Sequence, residues 1–421
     1  MATPKLRFKE FDGDWANFNL GDISDIKTGP FGSTLHQKDY VEIGTPIITV
    51  EHLGEVGLTS QNLPLVSDED KVRLKSYMLD EGDLAFSRVG SVDRCAIITD
   101  KEKGWLFSGR ILRVRPNKKL VHSKNLMYAL KTEDAKYRIR SVAVGQTMPS
   151  LNTEILKNFS INLSNSVEEQ TKIASFLSVV DEKISQLTQK HELLSQYKQG
   201  MMQKLFSQQI RFKADDGSEF GEWEEKTLID SVDTNIKWSF TGGPFGSNLK
   251  SEDYTELGIR IIQLQNIGDG AFLNDYKIYT SPEKANELLS CNIYPDEILI
   301  SKMGDPVARC CIVPKHHDRY VMCSDGIRLV VDKKNYSSIF MFYQINYQDF
   351  RQSASDVSTG STRKRIGLSD LKQLPIKAPC LEEQTKIANF LSAIDQKIEV
   401  VAQQIEQAKQ WKKGLLQQMF V

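Results

Sequence analysis

Two short stretches of this 421-residue chain each place a hydroxyl, a cation and a glycine within a few positions: FSRVGS (Phe86 to Ser91) and ISKMGD (Ile300 to Asp305). Ser87 and Arg88 in the first, and Ser301 and Lys302 in the second, can donate to phosphate oxygens or base edges. Gly90 and Gly304 let a backbone approach a ligand closely. Arg94, Arg110, Arg309 and Arg328 add cations to the same neighbourhoods. VGQTMPS (Val144 to Ser150) and TGSTRKR (Thr359 to Arg365) present Thr147 in the first copy and Thr362, Arg363, Lys364 and Arg365 in the second, each just before a helical segment. Together these are the candidate nucleic-acid contacts. The plain alternative for each is a strand-ending turn or helix-entry loop with a surface cation.

Catalytic chemistry finds less support. The chain holds no G-x-x-x-x-G-K-[ST] phosphate loop, no G-x-G-x-x-G, no H-E-x-x-H and no G-x-S-x-G. It lacks any Pro-Pro dipeptide, and with it the Asn/Asp-Pro-Pro-aromatic motif of amino-methyltransferases. His316-His317 lies in the basic loop PKHHDRY without a third ligand at helical spacing, so a solvated loop is the better reading than a metal site. In PDEILISK, Asp296 and Glu297 are adjacent and would point to opposite faces of a strand, which rules out a nuclease-like carboxylate cluster. The six cysteines have no C-x-x-C spacing and read as reduced, buried small hydrophobes. Neither catalytic residues nor metal ligands are expected.

The elements that must carry the binding candidates are duplicated. EEQTKIASFL at Glu168 returns as EEQTKIANFL at Glu382, an offset of 214, and 20 of 39 positions are identical from there to Phe206 and Phe420. The same offset relates GPFGS at Gly29 to GPFGS at Gly243, and LRFK at Leu6 has its counterpart in IRFK at Ile210. Steps of four and three from Ile173 land on Leu177, Val180, Ile184, Leu187, His191, Leu194, Lys198, Met201 and Leu205. From Ile387 they land on Leu391, Ile394, Ile398, Val401, Ile405, Ala408, Lys412, Leu415 and Met419. These are heptad seams without proline, predicting two helices of about 58 Å each. Ser166 with Glu169 predicts a capping box at the first start. Connectivity brings the end of one helix near the start of the other, so the helices should pair antiparallel, with a pseudo-two-fold relation between halves.

Between the helices, β-branched runs bounded by Gly, Pro and Asp (TPIITV, CAIITD, RILRVRP, IRIIQL, GIRLVVD) predict strands, and SKNLMYALKTEDAKYRIRSVA and SSIFMFYQINYQDFRQSAS predict helices. The expected fold is α+β: a mixed α/β globular unit over 1–166, a spacer helix over 167–206, a second such unit over 207–380 and a second spacer helix over 381–421. Net charge is −1, but its distribution is uneven. Met1 to Ala85 carries −7 and Phe86 to Arg140 carries +9, and Leu299 to Arg365 carries +5. Basic runs at matching places in both halves favour a polyanionic partner over a merely solvated face. The N-terminus has no apolar h-region and no run reaches membrane-spanning length, so a soluble cytoplasmic protein is expected.

A variable globular unit, a segment of the type G-x-T…L…L…(I/F)-x-I, an EEQTKIA-x-FLS-x-x-D-x-KI opening and a long heptad helix, all present twice, resemble the specificity subunit of type I restriction-modification systems. The resemblance covers essentially the whole chain. It implies that the globular units are target recognition domains, each reading one half of a split, asymmetric double-stranded DNA sequence. It implies that the helices, along the seam from Ile173 to Leu194 and from Ile387 to Ile405, form an antiparallel coiled-coil spacer. That spacer would dock two modification subunits, which bind S-adenosylmethionine and methylate adenine. Restriction subunits using ATP and Mg would complete the assembly, this chain binding no cofactor itself. The competing reading is a coiled-coil adaptor that binds proteins at both ends without reading DNA.

Overall fold

The computed structural model describes residues 3–30, 34–54, 57–145, 147–360 and 363–420. They divide into two units, one of residues 1–190 with 401–421 and one of residues 191–400. Each unit therefore takes its helical part from both long helices, Val167–Phe206 and Leu381–Met419. The strand-like runs are strands, and each predicted helical stretch is two helices separated by a break: Ser123–Leu130 and Glu133–Val142 in the first unit, Ser338–Asn346 and Gln348–Asp356 in the second. The break at Thr132 has a local cause, since its hydroxyl caps the following helix by accepting the Ala135 N–H at 3.2 Å.

The first unit is built on an antiparallel sheet in the order Ser24–Thr28, Ile111–Pro116, Leu84–Ser87, Cys95–Ile97. A smaller sheet (Tyr40–Val41, Leu65–Val66, Thr45–Ile48, Leu106–Phe107) stands beside it, and Trp15–Asn19 pairs with Ser160–Ser164 at the approach to the long helix. The second unit has the same main-sheet order, Phe240–Gly242, Gly326–Leu329, Ile298–Ser301, Cys310–Ile312, and the same two-strand approach, Glu224–Thr227 with Pro375–Ala378. Its smaller sheet gains a fifth strand, Asn292–Ile293. Every residue of Leu84–Ser87 and of Ile298–Ser301 is buried, as expected for central strands covered on both faces.

The repeated EEQ has a structural explanation inside each unit. Glu169, fully buried, accepts two hydrogen bonds from Arg7 at 2.7 and 2.8 Å, and Glu383, also fully buried, accepts two from Arg211 at 3.1 and 2.7 Å. Gln170 accepts the His122 N–H and donates to the Leu120 and Ser164 carbonyls, and Gln384 does the same with Ser337, Asn335 and Pro379. The capping box is only half formed. Ser166 Oγ accepts the Glu169 N–H at 3.2 Å, but the Glu169 carboxylate turns to Arg7 and Ser164 instead of back to the cap. A charged donor outcompetes a neutral backbone amide for a buried carboxylate.

The seam residues are also internal. Ile173, Leu177, Val180 and Ile184 join the first unit's core with Leu415, Leu416, Met419 and Phe420. Leu187, Val401 and Ile405 are buried too. Ile387, Leu391 and Ile394 join the second unit's core with Leu205 and Phe206, with Ile398 packed against it and Leu194 half-buried. A side chain in these cores packs inside its own unit and is not available to another subunit.

The two lysines that interrupt the apolar seams belong to matching anchors. Tyr128 donates to Asp181 at 2.7 Å and Lys412 pairs with that aspartate while lying over the tyrosine ring. Tyr343 donates to Asp395 at 2.7 Å, Lys198 pairs with Asp395 at 2.6 Å and lies over the Tyr343 ring. Burial, with the carboxylate beside them, pushes both phenols above the ordinary tyrosine range. Tyr343→Phe should therefore lower the second unit's stability by about 1–2 kcal/mol and leave the first unit's transition in place, measured by urea denaturation.

Candidate nucleic-acid interface

Strand directions place four separated segments at one end of each main sheet. In the first unit, Ser24–Thr28 and Leu84–Ser87 are both antiparallel to Ile111–Pro116, so their C-terminal ends share an edge. Gly29, opening the GPFGS motif, donates to the Ile111 carbonyl at 3.1 Å, and Arg88 N–H donates to the Arg110 carbonyl at 2.9 Å. Val89 forms a bridge with Ser150, Gly90 N–H donates to Pro149, and Ser150 exchanges both backbone hydrogen bonds with Val144. The FSRVGS turn, the start of GPFGS, the 108–110 turn and the described ends of the VGQTMPS segment thus form one rim.

The second unit builds the same rim from its own copies. Gly243 N–H donates to Gly326 at 2.9 Å, Lys302 N–H to Asp325 at 2.7 Å and Gly304 N–H to Lys364 at 3.1 Å. Met303 and Thr359 each bridge Arg365. The first glycine of GPFGS is dictated by this crowding: a Cβ on Gly29 would lie 2.1 Å from the Ser108 carbonyl oxygen, and one on Gly243 would lie 1.7 Å from that of Cys323. The unchanged return of GPFGS in otherwise divergent halves is the sequence signal for this close approach at its first glycine.

The individual candidates separate into rim surface and rim framework. Gly90, Arg94, Arg110, Thr147, Arg363 and Arg365 are exposed. Lys302, Gly304, Arg309 and Lys364 are half-buried, Lys364 donating to Ser355. Arg88, also half-buried, donates to the Leu151 carbonyl at 3.2 Å and the Gly109 carbonyl at 2.9 Å, clasping two of the rim's segments. Arg309 donates from Nε to the Ile267 carbonyl at 2.6 Å and crowds Gly304, where an added Cβ would stand 2.6 Å from its Nη1. Thr362 lies outside the described residues.

Three candidates belong to the interior. Ser87 and Ser301 are fully buried, their hydroxyls donating to the Ser91 and Met303 carbonyls to close the turn beneath the rim. Arg328 is 4% exposed, and its guanidinium is held by the Glu297 carboxylate at 2.8 and 2.5 Å. Mid-strand position on a sheet covered by protein explains the correction: an arginine there is compatible with folding only when paired. Arg113, at the matching register in the first unit, is likewise buried and paired with Asp25.

That pairing also changes the meaning of the charge runs. Arg113 with Asp25, Arg115 with Asp83 at 2.6 Å and Arg140 with Asp93 join the basic segment to acids of the same unit. Asp25 and Asp83 come from the acidic first 85 residues, so part of the asymmetry between the two segments is neutralised on folding. What stays at the rim is local: Arg94 and Arg110 in one unit, Lys302 and Arg363 in the other, where Arg365 is paired with Asp325.

Among known proteins, the family model described as the type I restriction modification DNA specificity domain matches residues 12–196 and 265–410. The chain is 29% identical to the putative type I restriction enzyme MjaX specificity subunit of Methanocaldococcus jannaschii, over 98% of this chain and 94% of that one. It is 25% identical to the MjaVIII specificity subunit of the same organism, over 97% and 94% of the two chains. In fold it is similar to the crystal structure of a type I restriction-modification S subunit from M. genitalium, with a TM-score of 0.61 at 17% identity, covering 100% of this chain and 99% of that one. A chain from a structure of an assembling type I R-M system superposes with a TM-score of 0.56 at 16% identity, over 96% of each chain. Among the described residues, no helix is long and apolar enough to cross a membrane.

Proposed function

Because the chain belongs to the type I restriction-modification DNA specificity family, we propose that it is the DNA-reading and scaffolding subunit of such a complex. Each unit reads one half of a bipartite, asymmetric site, and the outward faces of the two long helices dock two modification subunits that methylate adenine. The chain performs no catalysis. S-adenosylmethionine, ATP and Mg act on its partners, restriction subunits among them. The long helices serve as an antiparallel coiled-coil spacer. Half-sites about one turn apart, roughly 34 Å, fall within reach of helices of this length.

The observation that carries this reading is the matched rim. Both units bring the same four segments together by the same backbone hydrogen bonds, yet furnish them with different side chains. A common frame with divergent donors is what two different half-sites require. For docking, Val179 and Trp411 in the first unit and Leu193, Tyr197 and Val400 in the second are helix residues left more than half exposed.

Methylome sequencing tests the proposal directly. Deleting the gene should abolish one bipartite methylated-adenine motif, and an unchanged methylome rejects it. In vitro, affinity of the complex should fall linearly in log K against log salt, with a slope of roughly −0.9 per phosphate contacted. An adaptor without DNA reading would show neither sequence preference nor that slope.

A further inference from the structure

We infer that Asp325 is a specificity-positioning residue of the second unit, holding the Arg365 guanidinium for a guanine in the half-site that this unit reads. The inference rests on the DNA-reading proposal. Asp325 lies in the turn beneath the strand end, where its carbonyl accepts the Lys302 N–H at 2.7 Å and the next residue, Gly326, pairs with Ser301. Arg365 arrives from another segment, its backbone bridging Met303 and Thr359. There its Nη2 donates to Asp325 Oδ1 at 2.5 Å, with the two side chains 49% and 21% exposed.

An ion pair this exposed contributes little to folding, so stability does not account for it. Its geometric effect is larger. One carboxylate contact restricts a long, flexible side chain and anchors one end of its guanidinium while using one of five N–H donors. The remaining donors keep the fork that matches guanine O6 and N7, the commonest specific contact in the major groove.

The first unit shows the same frame furnished differently. Arg88 N–H donates to the Arg110 carbonyl as Lys302 N–H does to Asp325, so Arg110 occupies the position of Asp325. Ser150 bridges Val89 and Val144 as Arg365 bridges Met303 and Thr359. Where the second unit has an acid in the turn and a guanidinium on the ladder, the first has a guanidinium in the turn and a hydroxyl on the ladder. The cation thus enters from opposite segments of the same rim, which places the arginine-read base differently in the two half-sites.

The test is selection from a randomised duplex library by the full chain in complex with its modification subunits, at fixed salt. Wild type should select a bipartite sequence. D325N should reduce the preference for one G·C pair in one half by roughly tenfold to a hundredfold, leaving the other half unchanged. R365K should act on that same pair, and the double variant should lose no more than either single one. The inference is overturned if D325N leaves all preferences intact, weakens every position equally, or affects a different base pair from R365K. A wild-type complex that selects no sequence overturns the DNA-reading proposal as well, whereas a selective wild type with an indifferent D325N rejects this inference alone.

Discussion

Replacing Arg211 by alanine is expected to destabilise the second unit by about 3 kcal/mol, and Arg7→Ala should do the same to the first. In each case the substitution leaves a carboxylate with no solvent exposure, Glu383 or Glu169, without its bidentate partner. The arginines keep a little exposure, 24% and 13%, which sets the figure at the low end of what breaking a buried pair costs. Because the pairs lie in different units, R211A should shift one denaturation transition and R7A the other. Substituting both members of one pair by leucine or methionine should recover much of the loss, since no buried charge then remains. Equal shifts of both transitions by either variant would contradict the assignment.

Glu169 adds a pH dependence with a defined sign. Burial alone would raise its carboxyl, but hydrogen bonds from Arg7 and Ser164 together with the arginine's charge outweigh burial and hold it below the ordinary glutamate range. A carboxylate depressed on folding contributes stability that is present above its unfolded value, about pH 4, and is lost as pH falls through the folded value. Acid should therefore loosen the first unit at the start of its long helix, and R7A should flatten that part of the stability profile.

Gly243→Ala should damage DNA reading by the second unit at least as strongly as any substitution of a rim cation, and Gly29→Ala should do so in the first. Neither glycine adopts a left-handed conformation, so the backbone would accept alanine and only space forbids it. The added carbon would meet a carbonyl oxygen of the neighbouring backbone at 1.7 Å in one unit and 2.1 Å in the other, and backbone cannot turn aside as a side chain can. The hydrogen bonds from Gly243 to Gly326 and from Gly29 to Ile111 must then lengthen or break, opening the rim where its segments meet. Holding the rim closed should then cost about 2 kcal/mol or more, which lowers affinity by roughly thirtyfold where the closed rim is the form that binds. Library selection with each variant should lose information in one half-site only. Loss of both halves from a single glycine change would show that the two units do not read independently.

The helices were the most legible part of the sequence. A heptad seam uninterrupted by proline depends only on local periodicity, and Val167–Phe206 and Leu381–Met419 run continuously where the seams lie. The β-branched runs were legible for the same reason. The break within each shorter helical stretch was not, because Thr132 and Tyr347 read as ordinary members of a helix until the cap and the packing of the next segment are seen.

The site was legible as chemistry and not as geometry. FSRVGS, ISKMGD and the described residues of VGQTMPS and TGSTRKR lie on a rim, but nothing in their types or spacing revealed that Val89 meets Ser150 or that Met303 meets Arg365 across about sixty residues. Nor could charge type distinguish Arg328, buried against Glu297, from Arg365, exposed beside Asp325. Both are arginines near glycine in a basic run.

By itself, then, the sequence determined that the chain is duplicated, where its long helices run, and which residue types could donate to a polyanion. These follow from patterns repeated over a few residues or at a constant offset. The tertiary structure decided which donors face solvent and which support them, and why EEQ recurs. Burial and ion pairing are set by partners far away along the chain: the residue satisfying Glu169 lies 162 positions before it, and the one satisfying Glu383 lies 172 before. No local pattern encodes such a partner, because the energy that selects it exists only once the carboxylate has left water.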